Sequence, residues 1–388
     1  MTFDFDTYYD RRHSDSDKWN HYPGDILPLW VADMDFRSPG PVIQALRDRV
    51  DHGIFGYGRD PVELRQVVVA RLEARYGWRI APDAVVFVPG VVQGFNLVCK
   101  AFCQPGDGVL VQPPVYPPIL QAHTHAGLVN NEAQLVCNPD GSYGIDLDVF
   151  EHAITDQTRL FILCNPHNPV GRAFRRDELE AMAEICLRRN ILICSDEIHS
   201  DIIYNGHRHI PIASIAPEIE QKTITLISPS KTFNIAGLRL AVAVIPNPEL
   251  RKAYVALQRP LAGGPGILAV TAALAAYRDG ETWLQALLAY LEANRDFLVD
   301  YVHRYLPNIG VAKPEATFLA WLDCRRAGIP LVKPYTFFME KARVALNDGS
   351  AFGKDSEGFV RLNFGCPRAI LVQALEQIRQ ALAQLKEV

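Results

Sequence analysis

Between residues 84 and 245 the hydrophobic positions fall into short, nearly unbroken runs: AVVFV (84–88), GVLVQ (108–112), RLFILCN (159–165), NILICSD (190–196), TITLIS (223–228) and LAVAVI (240–245). Runs that are apolar at every position, not at every second one, belong to strands covered by helices on both faces. Between them the pattern turns helical, at 92–103 and at 177–189, where DELEAMAEICLRR opens on acids and closes on arginines, as the helix dipole favours. Asp60-Pro61-Val62-Glu63 has the form of a helix start, with Asp as the cap. This alternation predicts an α/β fold with an open, mostly parallel sheet over about residues 48–283, and such sheets bind ligands at the carboxyl ends of their strands.

The last third changes character. Helical stretches at 281–305 and 368–385 bracket two apolar runs, TFLAWLD (317–323) and GFVRLNF (358–364), the pattern of a smaller α+β domain. The expected division is a large domain over 48–283 and a small one built from 1–47 and 284–388. Gly263, Gly264, Pro265 and Gly266 read as a joint near the boundary.

Composition narrows the function by exclusion. The 388 residues carry Lys+Arg 39 against Asp+Glu 44, a net charge of −5, without basic runs. Nucleic acid is therefore not an expected partner, because binding it rests on phosphate neutralisation. The N-terminus is acidic and polar where a signal peptide is basic and then apolar, and no stretch approaches the roughly 18 apolar residues of a membrane span. Most of the eight cysteines sit inside apolar segments, which reads as core thiols in a reducing, cytoplasmic setting. Cys99 and Cys103 stand at i, i+4, but no further Cys or His pair follows at zinc-site spacing, so no metal is expected.

The chemistry gathers at strand ends. Lys231, in Ser228-Pro229-Ser230-Lys231-Thr232-Phe233-Asn234, follows a buried strand with no neighbouring carboxylate. A desolvated amine beside cationic groups has a depressed pKa, which makes it a nucleophile for carbonyls. Ser228, Ser230 and Arg239 suit an anion, most simply a phosphate. Asn168, in Asn165-Pro166-His167-Asn168-Pro169, and Asp196, in Ser195-Asp196-Glu197-Ile198-His199, end two further strands. Taken singly, these read as a Pro/Asn turn and a helix cap. Together they place an amine, an amide and a carboxylate on one crevice. Pro89-Gly90-Val91-Val92-Gln93-Gly94 lies between a strand and a helix, where backbone N–H groups cradle phosphate. Walker and G-x-G-x-x-G motifs are absent, which disfavours ATP-type loops and NAD.

These four ordered motifs resemble the fold-type-I pyridoxal-phosphate enzymes of the class I/II aminotransferase group, over nearly the whole chain. Within that group the chain looks like the bacterial C–S β-lyase (cystathionine β-lyase) branch, through Pro28-Leu29-Trp30-Val31-Ala32-Asp33-Met34-Asp35-Phe36, Phe55-Gly56-Tyr57, Pro114-Val115-Tyr116-Pro117-Pro118 and Asp196-Glu197-Ile198-His199. The resemblance implies pyridoxal 5'-phosphate joined to Lys231, which also moves protons. It implies a ring nitrogen paired with Asp196, a ring oxygen bonded to Asn168, and Tyr116 stacked on the ring face. It assigns the phosphate to backbone N–H groups at Gly90, Val91 and Val92 with Ser228, Ser230 and Arg239. Tyr57 would reach that phosphate from the partner in a homodimer with shared sites. Arg361 would grip the substrate carboxylate, while Trp30 and Tyr116 would wall its side chain. His199 stands where ordinary aminotransferases have Tyr, either as a hydrogen-bond donor or as a packed core histidine. The implied reaction is α,β-elimination on cystathionine or another cysteine S-conjugate, giving pyruvate, ammonia and a thiol, with transamination on the same cofactor as the alternative.

Overall fold

The computed structural model describes residues 3–329 and 333–385. Its centre is a seven-stranded sheet in the spatial order Val85–Val88, Ala241–Val244, Thr223–Ile227, Leu192–Asp196, Thr158–Cys164, Gly108–Val111, Val129–Glu132. Ala241–Val244 runs antiparallel to both neighbours, and the remaining pairs are parallel.

The unbroken apolar runs are explained by what each face meets. In Thr158–Cys164, the side chains of Leu160, Ile162 and Cys164 enter one core cluster, and Phe161 and Leu163 enter another on the opposite face. Each such fully buried side chain contributes about 1.5–3 kcal/mol. Helix Val91–Phe102 packs closely on the first face. A Cβ at Gly94 would lie 3.0 Å from a Leu226 methyl, so glycine here permits the close helix–sheet approach.

A second, antiparallel sheet joins Gly310–Val311, Leu319–Asp323, Phe359–Asn363 and Asn347–Asp348. It packs with helices Glu281–Tyr305 and Arg368–Gln384. Leu27–Pro28 pairs in parallel with Val344–Ala345 and so fastens an N-terminal segment to the C-terminal third. The positions 47/48 and 283/284 both fall inside helices, Gly40–Asp51 and Glu281–Tyr305.

Several local expectations differ from the structure. Asp60 does not cap the helix Val62–Tyr76, whose N-terminus has no side-chain cap. The Asp60 carboxylate instead takes Arg65 at 2.7 Å. The Gly263–Gly266 stretch joins helices Pro248–Leu261 and Ile267–Asp279, next to the exposed Phe55–Arg59 segment. Seven cysteines are buried thiols, but Cys137 is exposed because its two-residue strand lies on the surface. Among the described residues no helix is long and apolar enough to cross a membrane, and no cluster of three or more His, Cys, Asp or Glu is arranged to hold a metal.

Candidate active site

Three strand ends and the start of one helix open on a single cavity of about 410 Å³. Lys231 sits on the short helix Pro229–Thr232, directly after strand Thr223–Ile227. Its Nζ donates to the Ala32 carbonyl at 2.6 Å. Burial pulls the amine down to about 8, with Arg361 acting the same way and Asp33 and Asp196 opposing. That is the depressed amine a carbonyl-seeking lysine needs.

Asp196 ends strand Leu192–Asp196, beside Cys164 in parallel register. It is almost fully buried, and its Oδ1 accepts from the Ile198 N–H at 3.1 Å. Burial raises its carboxyl to about 7, and the neighbouring Glu197 charge adds to this. A cation against Asp196 would restore its ionised form.

Asn168 stands in the turn after strand Thr158–Cys164. Its Oδ1 accepts from Arg361 NH1 at 3.1 Å, which leaves the amide N–H₂ as the group free to donate. The turn is held by Gly171, at φ +74°, whose carbonyl accepts from Glu315 and Ala316 N–H groups. A Cβ there would meet Pro314 at 2.9 Å. Arg172 locks the same turn with a two-pronged contact to Glu178 at 3.0 and 2.9 Å.

At the far end of the cavity, helix Val91–Phe102 begins without a side-chain cap, and its first backbone bond runs from Gly94 N–H to Gly90. The N–H groups of Val91, Val92 and Gln93 therefore lack intrahelical partners, and all three residues line the cavity. Ser228 Oγ lies 2.6 Å from the Leu240 carbonyl and 2.8 Å from Ser230 Oγ, and both serines line the cavity. Arg239, in the left-handed region at φ +53°, lines the cavity and forms no ion pair among the described residues. Uncapped N–H groups, a hydroxyl and an unpaired guanidinium make an anion cradle.

Arg361 rises from strand Phe359–Asn363, over the Phe352 ring at 5.1 Å, and donates to Asn168, Asn347 and the Trp30 carbonyl at 2.9 Å. Its Nε is buried without a partner, and burial pulls the guanidinium down to about 10. Tyr116 lines the cavity, where burial raises its phenol. His199 lines it too, edge-on to Phe318. Burial and the charges of Lys231 and Arg361 hold its imidazole near about 3, so it is neutral, and its Nδ1 is buried without a partner.

Two further residues do not line this cavity: Trp30, and Tyr57, which the resemblance assigns to the partner subunit's site and not to its own. The Trp30 ring packs against His21 and Tyr22 and donates to the Lys18 carbonyl, so only its backbone reaches Arg361. Tyr57 is fully exposed, in a surface groove away from this cavity. The sequence reading missed Ala32 as the Lys231 acceptor and Asn347 as a partner of Arg361. Both act from irregular or two-residue segments that leave no periodic signal.

The chain matches the aminotransferase class I and II family over residues 25–378. It is 40% identical to cystathionine beta-lyase PatB of Bacillus subtilis, covering 98% of this chain and all of that protein. Among solved structures it is similar to OvoB, with TM-score 0.93, 45% identity and coverage of 98% and 99%. It is also similar to the pyridoxal-phosphate-bound C–S lyase of Staphylococcus hominis, with TM-score 0.93, 34% identity and coverage of 98% and 99%. The chain thus belongs to the class I and II aminotransferase family of pyridoxal-phosphate enzymes, on the branch that includes PatB.

Proposed function

We propose that the protein is a pyridoxal-phosphate-dependent C–S β-lyase acting on cystathionine or related cysteine S-conjugates. The observation behind this reading is one cavity that joins a depressed lysine amine, a buried carboxylate, an anion cradle and a buried arginine. The residues fit the cofactor. The cradle of Val91, Val92, Ser230 and Arg239, with Gly90 and Ser228 shaping it, suits its phosphate, and Asp196 suits a protonated ring nitrogen. Asn168 has a free amide donor for the ring oxygen, Tyr116 offers a face to the ring, and His199 offers a neutral imidazole beside it. When bound, pyridoxal phosphate supplies an electron sink conjugated to the substrate's α-carbon.

The chain's own groups do the rest. Arg361 holds the amino acid's carboxylate by a two-pronged contact, and the buried Nε shows spare donor capacity. Lys231 Nζ takes the Cα proton, the Cβ–S bond breaks, and the sulfur leaves as a thiolate. Asp196, ionised by pairing with the protonated ring nitrogen against the cost of its burial, would hold that proton in place. The aminotransferase alternative needs the same groups plus a keto-acid acceptor, and the named C–S lyase relatives favour elimination.

The active unit in this reading is a homodimer in the cytoplasm. Phe55, Tyr57 and Val62 are exposed around one groove, and Tyr57 serves the partner's phosphate cradle from there. We read the two sheets as a large cofactor lobe and a smaller lobe contributing Arg361, divided as the sequence suggests at about 48–283. Thiol release from cystathionine by wild type, absent in Lys231→Ala, tests the assignment. Equal release by the two proteins would refute it.

A further inference from the structure

The Ala32 carbonyl that receives Lys231 belongs to a segment, residues 31–36, with no regular secondary structure, yet five of its six backbone carbonyls accept a side-chain hydrogen bond. Asn363 Nδ2 donates to the Val31 and Asp33 carbonyls at 2.7 and 2.9 Å. Asn234 Nδ2 donates to those of Met34 and Phe36 at 2.9 and 2.7 Å. Behind the segment lies a four-charge knot. Lys18, with a fully buried side chain, donates to Asp35 Oδ2 at 2.7 Å and to the Asp33 carbonyl at 2.8 Å. Arg11 bridges Asp35 Oδ1 at 2.8 Å and Asp33 Oδ2 at 2.6 Å, and the Trp19 indole N–H donates to Asp35 Oδ1 at 2.7 Å. Two cations and two carboxylates leave the knot with no net charge. Burying such a set is costly unless every member is paired, as here, and apolar packing would stabilise the fold as well. Stability alone therefore does not account for it.

We infer that the Arg11–Asp33–Lys18–Asp35 knot is a positioning element for Lys231: it fixes the Ala32 carbonyl against Nζ and balances the charge behind the amine. The inference rests on Lys231 being the cofactor-bearing lysine. The other charged or titratable groups near Nζ are Asp196, Arg361, His199 and Tyr116; those near the knot include Tyr8, Arg12, Asp15, Asp17, Arg37, Cys366 and Arg368. None of these is altered by the variants below.

The knot makes a signed prediction. Arg11→Gln removes a cation and Asp33→Asn removes its partner, and both side chains are partly exposed (25% and 29%), so folding tolerates either change. The readout is the cofactor's absorbance in the holoenzyme as a function of pH, which reports whether Nζ holds a proton. Arg11→Gln raises the midpoint and Asp33→Asn lowers it, each by about half a pH unit, a roughly threefold change in proton affinity from one charge acting at second-neighbour range. Lys18→Met moves it in the same direction as Arg11→Gln. A purely structural role shifts the variants alike or not at all. Midpoints that move together, or stay fixed while the melting temperature falls, would overturn the inference. Borohydride reduction followed by peptide mapping establishes separately that Lys231 bears the cofactor. A label on another residue defeats the functional reading itself, whereas unmoved midpoints defeat only the knot.

Discussion

Arg361→Lys keeps the positive charge and removes the planar fork. In the structure the guanidinium is buried, aimed by Asn168, Asn347 and the Trp30 carbonyl, and has one unpartnered nitrogen. A carboxylate docked on it gains two charge-assisted bonds, each worth about 1.5–3 kcal/mol, so roughly 3–6 kcal/mol rides on the fork. Lysine supplies one such bond at most, so about 1.5–3 kcal/mol is lost and kcat/KM for a cysteine thioether falls by about 10–10². The discriminating assay is a cycle of inhibition constants, comparing an unreactive amino-acid analogue with the corresponding amine that lacks the carboxylate. Wild type prefers the amino acid strongly, and Arg361→Lys loses about 10–10²-fold of that preference while binding the amine as wild type does. If the variant weakens both inhibitors equally, Arg361 acts through Asn168 and the turn, and the carboxylate assignment is wrong.

Other outcomes follow from the same geometry. Lys231→Ala loses at least about 10²–10⁴ in turnover, the range for removing a proton-transfer group, and takes no borohydride label at that position. Asp196 is held near about 7 in the folded chain against an ordinary 3.8. A raised acid favours the fold while it stays protonated, so this contribution to the cofactor-free protein is present in acid and is lost as pH rises through about 7. A bound cationic ring reverses the penalty, so the melting-temperature gain on adding pyridoxal phosphate grows between pH 5.5 and 8, and a flat gain contradicts the Asp196 assignment. Gly171→Ala, at positive φ and against Pro314, destabilises by about 1–3 kcal/mol in denaturant unfolding and weakens cofactor retention. Lys18→Met leaves Asp35 with Arg11 and Trp19 alone and destabilises by about 3–5 kcal/mol, seen as an earlier urea midpoint.

The site was legible where chemistry and local structure share a few consecutive residues. Asn168, Asp196 and Lys231 each follow an apolar strand, and a parallel sheet brings such ends together without further information. The sheet itself was legible because residues such as Leu160 and Phe161 are apolar on both faces. What escaped is what long-range pairing decides. Arg11 and Lys18 reach Asp33 and Asp35 across 15 to 24 residues whose only regular pieces are the short helix Asp17–Asn20 and the two-residue strand Leu27–Pro28, so no period marks them. The resemblance places Trp30 at the substrate side chain; in the structure its indole N–H goes to the Lys18 carbonyl and its ring packs on His21 and Tyr22, contacts between separate segments that no local pattern announces. Asp60 lost its expected capping role to an arginine five residues on.

The central claim is elimination at the Lys231 cavity, and the most direct measurement is pyruvate formed per active site from cystathionine with no keto acid present. A C–S lyase gives sustained formation, many pyruvates per site, with thiol released in equal amount. A single stoichiometric turnover that resumes only when a keto acid is added would contradict the account and make the protein an aminotransferase.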